Sequence, residues 1–567
     1  MPEHLIFCGS DAAAAPPYAL RLNLSGPSQN LQVRLGDLGQ KLVKDVPDRL
    51  VDLVDIAAYV YGSDLAYSRG GPVARQMGVD WRRDFKLVVP VRDPDHWQSQ
   101  DIREGLESTL RFLSDDNYRF DFQLAPNDGK FPEYLSWDEA DAKAFRPDEV
   151  VLFSGGLDSL SGVIEELATT SKRLALVSHR PSSKVYAHQK LLVAALTAAF
   201  PGRLMHIPVL INRMIALPVS EYTQRTRSFL YVSMAAAIAH MFDLGRVRFY
   251  ENGVISINLP ISEQVIGTRA TRTTHPLTLS MFTSLMSAIL SSPVDVENPF
   301  AWNTKAEVIA KIVRHGFGEL IRHSVSCSKI QEMTQAHTHC GCCSQCIDRR
   351  FGVLASGAEE YDPSELYTVD LLIGARDHGI DRTMAESYVR AHIDMHSMSE
   401  LAFAGKYGSE LGRICLASPG QPADEIVRKV MDLHRRHGSE VAGVVERGLH
   451  AFGPQLLRGE VPQTSILRMA LAPNEARRTI PDAAGVWLAR ETALVTKPLS
   501  PEMTRKPKDM PSRARAMRAI LELYPEGVPN TTDLPNKLLC NAVMSRIGGG
   551  GLGVSSDTIL RAAGRRK

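Results

Sequence analysis

The sequence predicts an α/β fold with a parallel sheet over residues 148–368, preceded by an N-terminal α+β portion (1–147). A mostly helical extension (369–500) and a basic C-terminal region (501–567) follow. Three observations carry this reading. From Glu149, short apolar runs alternate with helix-like segments; the first run passes straight into a glycine-rich turn; and five of the eight cysteines crowd into residues 327–346. The chain has 567 residues, 44% of them hydrophobic, with 65 Lys+Arg against 64 Asp+Glu and a net charge of +1. That excludes a disordered, collagenous or coiled-coil chain. The opening MPEHLIFCGS lacks a basic segment and an unbroken apolar core, and the greasiest later stretch, 229–244, is short and carries His240 and Asp243. Neither a signal peptide nor a membrane span is expected. Eight cysteines are too few for a disulfide scaffold, and their clustering points to a metal site in a reducing, cytoplasmic compartment.

In order, 18–24 and 85–91 read as strands, 102–113 as a helix and 126–147 as loop, without a chemical motif. The strands 150–153, 174–178 and 204–209 then alternate with helices at 159–167 and 188–200, a rhythm that implies parallel strands with crossover helices. A helix at 228–242, a strand at 246–250 and a helix at 305–315 continue it. Helical periodicity follows at 383–396, 422–437 and 439–452, and the four prolines and many basic residues of 496–515 mark a linker.

The sharpest motif is Val150-Val151-Leu152-Phe153-Ser154-Gly155-Gly156-Leu157-Asp158-Ser159. An apolar strand, two glycines and a helix start are what phosphate binding requires. Glycines let backbone amides approach an anion, and the helix points its first N–H groups and positive dipole end at the same place. Ser154 and Ser159 add hydroxyl donors, and Asp158 becomes a sensible ligand once Mg2+ bridges it to a phosphate. A plain strand-to-helix turn with Asp158 as a cap is the bland reading. No GK[ST] follows, so this is not a Walker A loop.

The second motif is Cys340-Gly341-Cys342-Cys343-Ser344-Gln345-Cys346, with Cys327 13 residues upstream. Four thiolates at such spacings can close a tetrahedral Zn2+ site. The expected ligands are Cys327, Cys340, Cys343 and Cys346, although His339 and Cys342 are adjacent enough to compete. A redox CxxC and an iron–sulfur cluster are the rivals. Cys8, Cys415 and Cys540 read as small buried side chains.

The SGGxDS string resembles the pyrophosphate loop of the adenine-nucleotide alpha hydrolases, the HUP superfamily that includes the N-type ATP pyrophosphatases. Joined to Ser326-Cys327 and to CGxCxxCxxR ending at Arg349, it resembles 7-cyano-7-deazaguanine synthase (QueC) and its QueC-like relatives. Arg225-Thr226-Arg227-Ser228-Phe229-Leu230 is similar to that family's RNxxFL segment, Glu251-Asn252-Gly253-Val254 to its strand-end glycine segment, and Thr304-Lys305-Ala306-Glu307 to its TKAE helix start. The resemblance spans about 149–355.

It implies a HUP core with a structural zinc knuckle. It implies ATP and Mg2+ at Ser154, Gly155, Gly156, Leu157, Asp158 and Ser159, with Asp158 and Arg225 catalytic. It implies adenylation of 7-carboxy-7-deazaguanine and attack by nitrogen. The family's YPDCRP segment is replaced here by 267–276, Gly-Thr-Arg-Ala-Thr-Arg-Thr-Thr-His-Pro, in which Arg272 and His275 are candidates to face a substrate carboxylate. Long QueC-like chains resemble components of anti-phage defence systems, the Qat kind and a deazaguanine-associated class of cyclic-oligonucleotide signalling. There the activated acid passes to an amine of a partner protein. Nitrile synthesis from ammonia, or a non-catalytic nucleic-acid or partner-binding scaffold, are the alternatives. A tRNA thiolase would want a cysteine pair outside the metal set, which Cys8, Cys415 and Cys540 do not offer.

Residues 505–567 hold 12 Lys+Arg against 5 Asp+Glu. Helix-like 534–547, a glycine-rich turn at 548–551 and 554–567 resemble a helix-turn-helix, so nucleic acid is a candidate partner, as is an acidic protein face.

Overall fold

The computed structural model describes residues 3–9, 15–35, 47–69, 82–125, 145–180, 182–213, 217, 221, 224–261, 271–376 and 379–471, and 516, 519–520, 523–524, 536–547 and 556–563 near the C-terminus. The expected linker 496–515, the glycine turn 548–551 and 267–270 of the segment 267–276 lie outside these residues. One compact unit comprises 1–68 with 82–472; the other comprises 69–81 with 473–567.

The first unit contains β1 (Glu3–Cys8), β2 (Leu20–Leu22), β3 (Leu31–Leu35), β4 (Asp84–Val91), β5 (Asn117–Leu124), β6 (Glu149–Leu152), β7 (Leu174–His179), β8 (Leu204–Arg213), β9 (Arg246–Arg248) and β10 (Asp295–Glu297). Its longer helices are α1 (Asp48–Ala66), α2 (Gln100–Ser114), α3 (Leu157–Thr169), α4 (Ser183–Ala199), α5 (Arg227–Met241), α6 (Pro276–Leu290), α7 (Lys305–Arg314), α8 (Ser344–Ser356), α9 (Ile380–Ser397), α10 (Glu400–Ala417) and α11 (Ala423–Ala451).

Two sheets form. The first, β2-β1-β4-β5, is parallel throughout, so the N-terminal portion expected to be α+β is built as α/β. The second runs β10-β9-β6-β7-β8-β3. Its first five strands are parallel, and β3 closes the edge antiparallel to β8, with Leu31 opposite Arg213. Counted from β6, the parallel strands lie in the order 3-2-1-4-5, and the direction of winding reverses at β6. Ligands of open α/β sheets bind beyond the carboxyl ends of strands at such a reversal. The glycine turn stands at that point.

The expected boundary at 147 does not divide the packing. Ile6, Val54, Phe85, Val150, Phe229 and Phe282 belong to one core that spans both sheets. Helix α1 is buried from Leu50 to Ala66, as is α5 from Ser228 to Ala239 apart from Tyr231, because each lies inside this core. On the other face of the second sheet, Val151 and Phe153 meet Leu157, Leu160, Val163, Ile164 and Leu167, whose 3–4 spacing makes α3 a one-sided helix.

The described part of the extension, up to 471, is mostly helical, but 422–437 and 439–452 are one helix, α11. Gly438 does not break it. A Cβ there would sit 2.2 Å from the His392 carbonyl of α9, so the glycine serves close helix packing. In the second unit, α12 (Asn536–Ile547) and α13 (Ser556–Ala562) share a small core of Ala516, Ile520, Leu539, Val543 and Ile559. Among the described residues no helix is long and apolar enough to cross a membrane.

Candidate functional site

The glycine turn brings 154–159 together as the sequence suggests. Gly155 takes φ +80°, and a Cβ there would meet Gln189 Cγ at 2.9 Å, so the position favours glycine twice over. Gly156 caps α3 without any side-chain hydrogen bond. Ser154 Oγ accepts the Gly156 N–H at 3.2 Å and lies 3.1 Å from Ser159 Oγ, which donates to the Gly156 carbonyl at 3.1 Å. Gln189 of α4 donates to the carbonyls of Ser154 (2.9 Å) and His179 (3.0 Å). From the far side the Val325 N–H donates to the Gly155 carbonyl at 3.0 Å. Leu157 is buried and anchors the helix below.

Asp158 sits on the first turn of α3 with its side chain 15% exposed. Its Oδ2 accepts Lys305 Nζ at 2.6 Å, and the Asn252 amide also favours the ionised carboxylate, while Oδ1, buried, makes no hydrogen bond within 3.5 Å among the described residues. Ser326 Oγ is likewise buried without a partner and lies 3.9 Å from where a Gly156 Cβ would stand. Lys305, 1% exposed, also reaches Asp348 Oδ2 at 3.3 Å. Burial draws its pKa down, but Asp158 and Asp348 outweigh that and hold it above the ordinary lysine value. Burial raises the Asp158 carboxyl against the pull of Lys305. Beside them Glu251 accepts the Thr274 hydroxyl, and burial first, then the neighbouring carboxylates, push it up to about 7.

Glu251, Lys305 and Asp348 fall in segments that resemble the family's, but neither they nor Gln189 were given a role from sequence. One signal was present. A lysine at the first position of α7, directly after the Thr304–Glu307 capping box, stands at the positive end of a helix, where a cation needs carboxylate partners.

Cys327, Cys340, Cys343 and Cys346 are buried, with their Sγ atoms all within 4.8 Å of one another, and can hold a metal such as zinc. Cys340 and Cys346 stand 3.8 Å apart, against about 3.8 Å between ligands of a tetrahedral zinc–thiolate site with 2.3 Å bonds. Amides of Cys342 and Cys343 donate to Cys340 Sγ, at 3.4 and 3.3 Å. Gly341, at φ +78°, turns the knuckle where a Cβ would fall 1.9 Å from the Val369 carbonyl. Neither competitor belongs to the cluster: His339 stacks on Tyr367, and burial raises the Cys342 thiol to about 11. Arg349, fully buried, donates to Asp362, to Tyr367 and to the carbonyls of Ile321 and Ser324. The segment that leads to Val325, Ser326 and Cys327 is thereby pinned to α8.

The remaining candidates make the following contacts. Arg225 is buried just before α5, next to Thr226, whose N–H and hydroxyl both donate to Asp64 at 3.0 Å. Arg272 donates to the Phe112 carbonyl at 2.8 Å and lies over that ring. His275 caps α6 by accepting the Leu277 N–H, packs edge-on to Phe112 and is held neutral, its pKa lowered to about 3 chiefly by burial. Both thus contact Phe112 of α2. Comparison with protein-family models gives no match for this chain, and comparison with curated proteins gives no relative, which leaves the glycine loop and the cysteine cluster to be read from their own geometry.

Proposed function

We propose that the chain is an ATP-dependent enzyme that adenylates a carboxylate, with 7-carboxy-7-deazaguanine as the substrate, and passes the acyl group to nitrogen. The observation that supports this most is the loop at the sheet's reversal point: a positive-φ glycine, a helix start without a side-chain cap, and Asp158 with one buried oxygen unpartnered. That oxygen suits Mg2+, which when bound neutralises phosphate charge. Ser154, Ser159 and the first amides of α3 hold the polyphosphate, and Lys305 supplies fixed positive charge beside it. The carboxylate oxygen of the substrate attacks the α-phosphorus, the bond to the β-phosphate oxygen breaks, and pyrophosphate leaves. An amine then attacks the acyl carbon, AMP departs and the amine's proton is released. Zinc held by Cys327, Cys340, Cys343 and Cys346 is structural here, since four thiolates complete a tetrahedral shell. The nitrogen belongs to an amine of a partner protein in this reading, in the setting of anti-phage defence.

Incubation with ATP, Mg2+, the acid and an amine should yield AMP and pyrophosphate, and Asp158→Asn should reduce both to background without loss of fold. Absence of both products from the wild-type chain with every nucleophile tried removes the enzymatic reading. A free nitrile with no mass added to any protein would instead assign ammonia as the nucleophile.

A further inference from the structure

Lys305 belongs to a ring of contacts among side chains that are buried apart from Glu440, whose side chain is 23% exposed and which makes no hydrogen bond to His437. Its ammonium meets Asp348 Oδ2, and Asp348 Oδ1 accepts the Tyr388 hydroxyl at 3.1 Å. The Tyr388 oxygen lies 2.9 Å from His437 Nε2, and His437 Nδ1 lies 3.5 Å from Glu440 Oε2. Glu440 Oε1 accepts the hydroxyl of Thr304 at 2.6 Å, the residue that caps α7 immediately before Lys305. Tyr388 comes from α9, and His437 and Glu440 come from α11. Tyr388, His437, Asp348, Lys305 and Thr304 are each no more than 2% exposed.

The protons of this ring follow from its chemistry. A phenol has one proton, and given to the Asp348 carboxylate it leaves the Tyr388 oxygen as an acceptor, so His437 Nε2 carries the proton between them. A lysine at a helix start, out of water, keeps its position only while its carboxylates keep theirs. Asp158 is also the residue offered to the nucleotide, which leaves Asp348 as the partner free of that task.

We infer that Tyr388, held by His437, is a positioning residue of the phosphate site: it fixes Asp348, and through it Lys305, beside the glycine loop. The inference rests on the adenylation reading. Two residues of the helical extension, Tyr388 and His437, thereby support a site whose other parts lie in 148–368.

The test measures pyrophosphate release from ATP with 7-carboxy-7-deazaguanine and ammonium chloride, together with ATP binding by calorimetry and thermal midpoints. Tyr388→Phe, which keeps the ring, should leave the KM for ATP near wild type. Its kcat should fall about tenfold or more, the worth of one hydrogen bond to a charged group. His437→Leu should fall comparably, and His437→Gln, which retains a donor, should recover most of the loss. Wild-type kcat in Tyr388→Phe, or equal effects of the two His437 variants, overturns the inference while adenylation stands. Should Tyr388→Phe fail to fold, the His437 pair decides. A wild-type chain that neither binds ATP nor releases pyrophosphate overturns the adenylation reading and this inference with it.

Discussion

Glu251 is a buried side chain whose charge state changes within the pH range of ordinary solution. Burial first, with Asp158 and Asp348 adding to it, lifts its carboxyl from 4.5 to about 7 against the Thr274 hydrogen bond and Lys305. A carboxyl raised on folding contributes stability that is fully present below its unfolded pKa and is lost as pH rises through the folded one. Wild type should therefore lose stability relative to Glu251→Gln between about pH 4.5 and pH 7, by at most about 3 kcal/mol, one pKa unit being about 1.4 kcal/mol. Urea melts at pH 5 and pH 8 check this, and parallel pH profiles for the two proteins would show that Glu251 titrates as an ordinary glutamate. Asp158 was legible because glycines and a helix start surround it in sequence. Its cation was not, since Lys305 stands 147 residues away and only the packing of α7 against α3 brings the two together.

Among the elements, the cysteine knuckle depends on one backbone turn more than on its side chains' chemistry alone. Gly341→Ala adds a methyl group 1.9 Å from the Val369 carbonyl at a positive φ, so the turn must open and separate Cys340 from Cys343. Gly357→Ala, with φ +70° but nothing within 4 Å, strains only its own backbone, a cost of about 1–2 kcal/mol. The first variant, like Cys343→Ser, should be purified without its metal, and the second should keep one ion per chain by elemental analysis. Full metal content in Gly341→Ala would contradict this account. The knuckle was readable because metal ligation constrains spacing in the chain itself. Helix α1 was not, because burial on every side erases the polar face from which helical periodicity is recognised. Gly438 misled for a related reason: a glycine needed for contact with α9 looks in sequence like a helix end.

Across the molecule, the alternation of strand and helix after Glu149 revealed a parallel sheet, but neither its sixth strand nor the core it shares with the N-terminal portion. Strand β3 joins from more than a hundred residues upstream, a pairing that no local pattern encodes. The same long reach ties the loop to the metal. Arg349 grips the Ser324 carbonyl, the Val325 N–H holds Gly155, and Cys327 enters the cluster two residues later. If the loop binds ATP and the cysteines bind a metal, as proposed above, this path can couple the two sites. Whatever factor a bound metal adds to the affinity for ATP, ATP must add to the affinity for the metal, since coupling between binding equilibria is reciprocal. Calorimetry of ATP on metal-loaded and chelator-stripped protein gives one factor, and the rate at which a chelator extracts metal with and without ATP reports the other. Equal ATP affinities in the two forms would show the tether to be slack. If it is taut, a cell short of ATP would also loosen this chain's grip on its metal, and nucleotide scarcity would be written into the lifetime of the fold.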